Sequence, residues 1–251
     1  MCIRDRLSAG VWWGMFTIIP VVGLRDVRRV GPAVTGSLTA AVSGSVRQLR
    51  STFAELRHFP DTMTFLLAYL FFNDGIQTVI VSASLYGKEE LGFGDSQLIV
   101  TILLVQFVAF LGALLFGRLA RTMGAKRAVL LSLGLWTLVV FAAFFLPSGQ
   151  FGLWLVLGVG IGIVLGGSQA LSRSLYSRLV PTGRESEYFS LYQAMERGTS
   201  WFGTLTFGLV HQLTGSYRLS IVALVVFFAL GAVLLRRVDV ERGSARARAA
   251  G

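Results

Sequence analysis

Six long apolar windows, separated by short polar gaps, organise the chain. They cover residues 62–83, 97–117, 128–147, 151–172, 187–210 and 217–235, and crossing about 30 Å of hydrocarbon takes about 20 helical residues. Each window therefore predicts a membrane-spanning helix. A shorter apolar stretch, LSAGVWWGMFTIIPVVGL, fills residues 7–24. Between 25 and 60 the period changes: Leu38, Val42, Val46, Leu49, Phe53 and Leu56 recur at three- and four-residue spacing, with Arg47, Arg50 and Arg57 among the other positions. That is the pattern of an amphipathic helix on a membrane surface, read either as a helical linker between bundles or as a partner-docking helix. The fold class expected is an all-α membrane protein.

Charge gives the windows an orientation. The segment 25–60 carries Arg25, Arg28, Arg29, Arg47, Arg50 and Arg57, whereas the next gap, with Lys88, Glu89, Glu90 and Asp95, is net acidic. GRLARTMGAKR is basic again, PSGQ is neutral, 173–186 holds Arg173, Arg178 and Arg184, the gap around 211–218 has His211 and Arg218, and the tail from Arg236 is basic. Every second gap is positive, which places those gaps and the tail on the cytoplasmic side. Composition agrees: 54% of residues are hydrophobic, 14% are charged and the mean hydropathy is +0.67, too apolar for an ordinary soluble domain. The net charge of +10 is spread over several gaps and does not mark a nucleic-acid-binding face. Cys2 is the one cysteine, so an intrachain disulfide and a cysteine-built metal site are excluded.

The organisation expected is a non-native leader at 1–6, the end of a transmembrane helix at 7–24, a cytoplasmic linker with an amphipathic helix at 25–60, a six-helix bundle at 61–236 and a cytoplasmic tail at 237–251. MCIRDR is unrelated to the apolar segment after it and reads as translated adapter or vector sequence. The stretch 7–24 reads as the end of a span from a missing amino half. The arginine-heavy, alanine-rich composition points to a prokaryotic inner membrane.

Polar residues inside the windows are the candidates for function. Asn73, Asp74 and Gln77 interrupt LFFNDGIQTVI, where a charge at the helix centre costs about 2.5–3.5 kcal/mol on insertion scales. Tyr188, Tyr192, Glu196 and Ser200 are spaced by four, Gly203 extends their line, and Gln193 and Arg197 form an adjacent one. Such a stripe belongs against the bundle or a water-filled pathway. At about 1.5 Å per residue, Glu196 lies roughly 14 Å and Asp74 roughly 18 Å from the inner end. Asn73, Asp74, Gln77, Tyr192, Gln193, Glu196 and Arg197 are therefore expected to line a substrate or proton pathway near the midplane. The alternative is a buried Asp74–Arg197 pair that holds helices together. Gly158, Gly162, Gly166, Ala170 and Ser174 recur every four residues, giving a smooth face for close helix packing. Gly160 and Gly167 lie off it.

The loop GRLARTMGAKR is similar to the major facilitator motif G-x-L-A-D-R-x-G-R-K. Gly117, Leu119, Ala120, Gly124, Lys126 and Arg127 match it in type or place, while Arg121 stands where that family has aspartate. With a basic linker before six spans, residues 7–240 resemble the carboxyl half of a major facilitator transporter. AYLFFNDGIQTVI, GGSQALSRSLYSRLVP and ERGTSWFGTLTFGLVHQLTGSYRLSI look like the branch related to the fungal vacuolar amino-acid effluxers. The resemblance implies a six-helix half-bundle, small-molecule transport with amino acids among the substrates, a coupling proton, an amino-terminal half as partner, the lipid bilayer as surroundings, and a gating loop containing Gly117, Arg118, Gly124, Lys126 and Arg127. It implies no enzyme activity, cofactor, metal or nucleic acid.

Two other functional classes meet the same sequence differently. GGSQ, at Gly166 to Gln169, nearly matches the serine element of intramembrane proteases, but the nucleophile needs a histidine within hydrogen-bond reach. Ser168 is expected near the inner face, His211 at an outer helix end and His58 in the inner linker, too far apart to meet. No zinc motif or phosphate-binding glycine loop occurs. A non-transporting membrane scaffold or receptor is the remaining alternative.

Overall fold

The computed structural model describes residues 3–23, 55–198 and 201–249, and every regular element among them is helical. The first, α1 (Ile3–Gly23), forms a unit of its own and keeps Pro20 inside the helix. The amphipathic pattern from Leu38 to Phe53 lies outside the described residues.

In the second unit a short 3-10 turn, Leu56–His58, leads into α2 (Pro60–Glu89), with Pro60 in the first turn and Asp61 beside it. Both residues suit a helix start, where the first amide groups lack partners and the dipole favours an anion. Then come α3 (Asp95–Met123), α4 (Ala125–Phe144), α5 (Phe151–Ser177), α6 (Glu185–Gly198), α7 (Trp201–Thr214), α8 (Tyr217–Ala223), α9 (Val225–Arg237) and α10 (Val240–Ala249). Gln97 accepts from the Gly94 amide at the start of α3, and Gly124 at φ +87° is the single residue between α3 and α4. A side chain is disfavoured at that φ, so glycine permits the abrupt turn.

Five of the stretches, α2, α3, α4, α5 and Tyr217–Arg237, are long and apolar enough to cross a membrane. Within the expected span at 187–210 the structure describes α6 and α7, each of 14 residues, on either side of 199–200, which lie outside the described residues. Glu185, Glu187, Glu196 and Arg197 make α6 too polar to stand alone in lipid. Its place is against α2, with which both α6 and α7 are in contact.

Glycines set the helix spacing. Along α5, a Cβ on Gly158 would meet the Thr101 methyl at 3.2 Å, one on Gly162 the Val105 carbonyl at 2.9 Å, and one on Gly166 the Ala109 carbonyl outright. Gly167, expected off this face, also abuts α3, where Phe116 fills the space. Gly231 of α9 similarly sits against Phe72 of α2, and Trp136 of α4 stacks on Phe228 of α9 at 5.7 Å. Such small-residue contacts let backbones approach where there is no hydrophobic force between helices.

The two ends of the bundle are tied differently. At one, Arg218 donates to Glu90 at 2.7 Å and to the Phe144 carbonyl at 2.8 Å, Lys88 pairs with Asp95, and Ser148 donates to the Glu90 carbonyl. At the other, Lys126 donates to the Arg236 and Val238 carbonyls at 2.9 and 2.6 Å, placing a cation on the carboxyl end of α9. Arg184 there is held between Glu55 and Glu187, whose hydrogen bonds keep its guanidinium more firmly protonated than usual. Ser148 and Lys126 thus lie at opposite ends, as the loop charges require. In a Cys2→Ser background, Ser148→Cys is expected to react with an impermeant thiol reagent on intact cells, and Arg127→Cys only after permeabilisation. Labelling of position 127 in intact cells would overturn the orientation.

The tail, expected to be cytoplasmic, folds into α10 and docks on the bundle. Arg242 grips Asp61 with both nitrogens, at 2.9 and 2.7 Å, Arg246 approaches the same carboxylate, and the Asp239 amide donates to it at 3.1 Å. Gly243 fits because a Cβ would strike Leu179. The carboxylate charge of the buried Asp61 is shared by both of the Arg242 hydrogen bonds from α10. Asp61→Asn should therefore free α10 and speed trypsin cleavage after Arg246 and Arg248 roughly tenfold. Unchanged cleavage would show that the ion pair does not hold the tail.

Candidate functional site

The polar residues of α2 meet α6 and α7. Asp74 is buried, and its Oδ2 accepts the Gly203 amide proton at 2.7 Å, in the first turn of α7. Its neighbour Asn73 donates from Nδ2 to the Glu196 carbonyl at 3.4 Å, in the last turn of α6. Among the described residues Asp74 Oδ1 has no hydrogen-bond partner, and neither has Thr78 Oγ1 one turn further along α2. Both side chains are about 1% exposed. Gly203 admits them because a Cβ would collide with Thr78.

A second cluster lies toward the Asp61 end of α2. Tyr192 of α6 is buried and stacks on Tyr69 of α2 at 4.2 Å and on Tyr176 of α5 at 5.0 Å, while Tyr176 donates to the Tyr188 carbonyl. Glu196 pairs with Arg173 of α5 at 3.4 Å. Arg173 reaches this cluster because α5 runs on to Ser177, past the end of its apolar window.

The expected residues divide accordingly. Asn73, Asp74, Tyr192 and Glu196 converge on the α2–α6–α7 contact, and Gln77 is half-buried on α2. Gln193 and Arg197 are exposed, and Arg197 lines an open groove with Trp201 and Gln212. The alternative Asp74–Arg197 pair is not formed: Arg197 is one residue, about 100°, round α6 from Glu196 and points elsewhere. Ser200 lies outside the described residues. Tyr69, Thr78 and Arg173 were missed. A signal existed for Tyr69, which precedes Asn73 and Gln77 in a four-residue series, and none for Arg173, whose charge read as part of a loop.

The expected gating loop is mostly helix. Gly117 and Arg118 belong to α3, Gly124 supplies the turn, Lys126 holds the end of α9, and Arg118, Arg121 and Arg127 are exposed without a described ion-pair partner. Elsewhere, a largely apolar cavity of about 120 Å³ lies between α2, α3 and α5, where Trp154 donates to Thr101 at 3.0 Å. Ser168 is buried, donates to the Leu165 carbonyl and accepts from Trp136. Its surroundings hold no histidine among the described residues: His211 stacks on Tyr217, and His58 bonds to the Glu55 carbonyl.

Comparison with known proteins places this geometry. A family model described as vacuole effluxer Atg22 like matches residues 6–248. The chain is 31% identical over 232 residues to the uncharacterized MFS-type transporter YxiO of Bacillus subtilis, covering 92% of this chain and 52% of that protein. It is 31% identical over 255 residues to autophagy-related protein 22-1 of Neosartorya fischeri, covering 93% of this chain and 42% of the relative. Autophagy-related protein 22 of Kluyveromyces lactis is 30% identical over 257 residues, 96% of this chain and 52% of its own. The chain spans about half the length of these relatives.

Proposed function

The chain belongs to the vacuole effluxer Atg22-like family, an integral multi-pass membrane family, and from that premise we propose that it forms half of a secondary transporter for small molecules, amino acids among them. The observation that carries this reading is the buried Asp74 carboxylate, one oxygen on the α7 amide and the other without a described partner. A carboxylate so placed keeps an acceptor site for a proton or a substrate ammonium group. Beside it, Arg173 and Glu196 offer opposite charges in a setting lined by Tyr69, Tyr176 and Tyr192, a chemistry suited to a zwitterion. Gln77, Gln193 and Arg197 face the part of the pathway that a second bundle would complete, which accords with relatives about twice as long. Gly117, Arg118, Gly124, Lys126 and Arg127 are proposed to move with the inner end of α3 and α4 as the halves rock. The composition and the Bacillus relative support a prokaryotic cell membrane.

The test is flux of a panel of labelled amino acids into or out of vesicles carrying the transporter, against empty vesicles, with and without an imposed pH gradient. Saturable flux that responds to the gradient is expected. Vesicles indistinguishable from empty ones across the panel would favour a scaffold.

A further inference from the structure

Where α4 begins and α5 and α9 end, the bundle carries a cleft of about 600 Å³ lined by Lys126, Arg127, Arg178, Arg236 and Arg237. Lys126 is committed to the end of α9, but the four arginines are exposed and make no ion pair with a described residue. Elsewhere at this end, Arg184 and Arg242 each hold a carboxylate. Two acids, Asp239 and Glu241, share the cleft, and Asp239 Oδ1 already accepts the Arg242 amide at 3.0 Å. The cleft is therefore cationic and open to an anion.

Two apolar stripes run from it along the bundle. On α4, Arg127 is followed at helical spacing by Leu131, Leu138 and Phe141, with Phe145 just past the helix end, all exposed; on α9, Arg237 is preceded by Val233, Leu230 and Val226, also exposed. Steps of three, four and seven residues keep each stripe on one helix face. Both stripes thus end in an arginine of the cleft. A soluble phosphate would use the cations alone, whereas a molecule with an anionic head and long apolar tails would use both features.

We propose that this cleft is a binding site for an anionic glycerophospholipid of the leaflet at this end, with its phosphodiester among Arg127, Arg178, Arg236 and Arg237 and its acyl chains along α4 and α9. An arginine near an anionic lipid surface contributes enough to change affinity roughly fivefold, and the planar guanidinium suits phosphate oxygens. The site does not depend on the transported substrate.

The experiment titrates the purified chain in neutral detergent with phosphatidylglycerol, phosphatidylcholine or glycerol 3-phosphate and counts bound molecules by native mass spectrometry. Phosphatidylglycerol should be retained in preference to phosphatidylcholine, and glycerol 3-phosphate should not displace it. Arg127→Gln with Arg237→Gln should weaken retention roughly 25-fold, with the helical circular dichroism unchanged. Arg178→Gln with Arg236→Gln serves as a second pair. The control, Arg57→Gln with Arg248→Gln, removes the same charge from exposed arginines outside the cleft and should leave retention unaltered. Equal retention of the two lipids, an equal loss in the control, or displacement by glycerol 3-phosphate would each overturn the proposal, the last by showing a free-phosphate site.

Discussion

Gly166→Ala is expected to destabilise the bundle by about 3 kcal/mol or more, the upper end for overpacking, because the added methyl meets main chain that cannot rotate aside. A Cβ at Gly166 would overlap the Ala109 carbonyl and lie 2.9 Å from the Ala113 amide nitrogen, both within α3. Relief requires α3 and α5 to separate, and a Cβ at the neighbouring Gly162 or Gly112 would also lie under 3.0 Å from its nearest neighbour. Gly160→Ala is the matched control: its nearest neighbour would be a Val139 methyl at 3.5 Å, ordinary contact. That substitution should be neutral or stabilising by up to about 1 kcal/mol, since alanine restricts the unfolded helix segment more than glycine does. Thermal unfolding in detergent should therefore show a Tm lowered by roughly 6–12 °C for Gly166→Ala and unchanged or raised for Gly160→Ala. Equal melting of the two variants would remove Gly166 from the packing face.

The bilayer explains which features were legible. The windows 62–83, 97–117, 128–147 and 151–172 fall on α2, α3, α4 and α5 because hydrocarbon demands long uninterrupted apolar helices, and hydropathy measures that demand. The glycine period of α5 was readable for the same reason, since close packing requires small residues at a fixed spacing. Arg173 was not, because hydropathy ends a span where the hydrocarbon ends and helical hydrogen bonding does not. Docking of α10 depends on Asp61 meeting Arg242, a contact 181 positions apart in the chain, and no local pattern announces it. The pairing of Asp74 failed for a geometric reason. Counting residues put Asp74 and Glu196 at similar expected depths, but could not give the direction in which each helix turns its side chains.

Replacing Asp74 separates its two roles, as the clasp of α7 and as the proposed proton or substrate carrier. Asp74→Asn leaves a carbonyl oxygen able to accept the Gly203 amide proton, so the loss in stability should stay below about 1 kcal/mol. Asp74→Ala leaves that buried amide without a partner and should cost about 1–3 kcal/mol. Arg197→Gln should be nearly silent, within about 0.5 kcal/mol, as for an exposed residue. Because Arg197 does not pair with Asp74, Asp74→Asn combined with Arg197→Gln should melt like the single asparagine variant, without rescue. Transport gives the opposite ranking: Asp74→Asn should insert and accumulate normally yet lose gradient-driven flux, because an amide at that position can neither release a proton nor pair with an ammonium group. Measured together in the transporter, abundance, Tm and flux decide between the roles. Gradient-responsive flux at the normal rate in Asp74→Asn would leave the residue only its structural task on α7, and restoration of a damaged Asp74→Asn variant by Arg197→Gln would reinstate the ion pair.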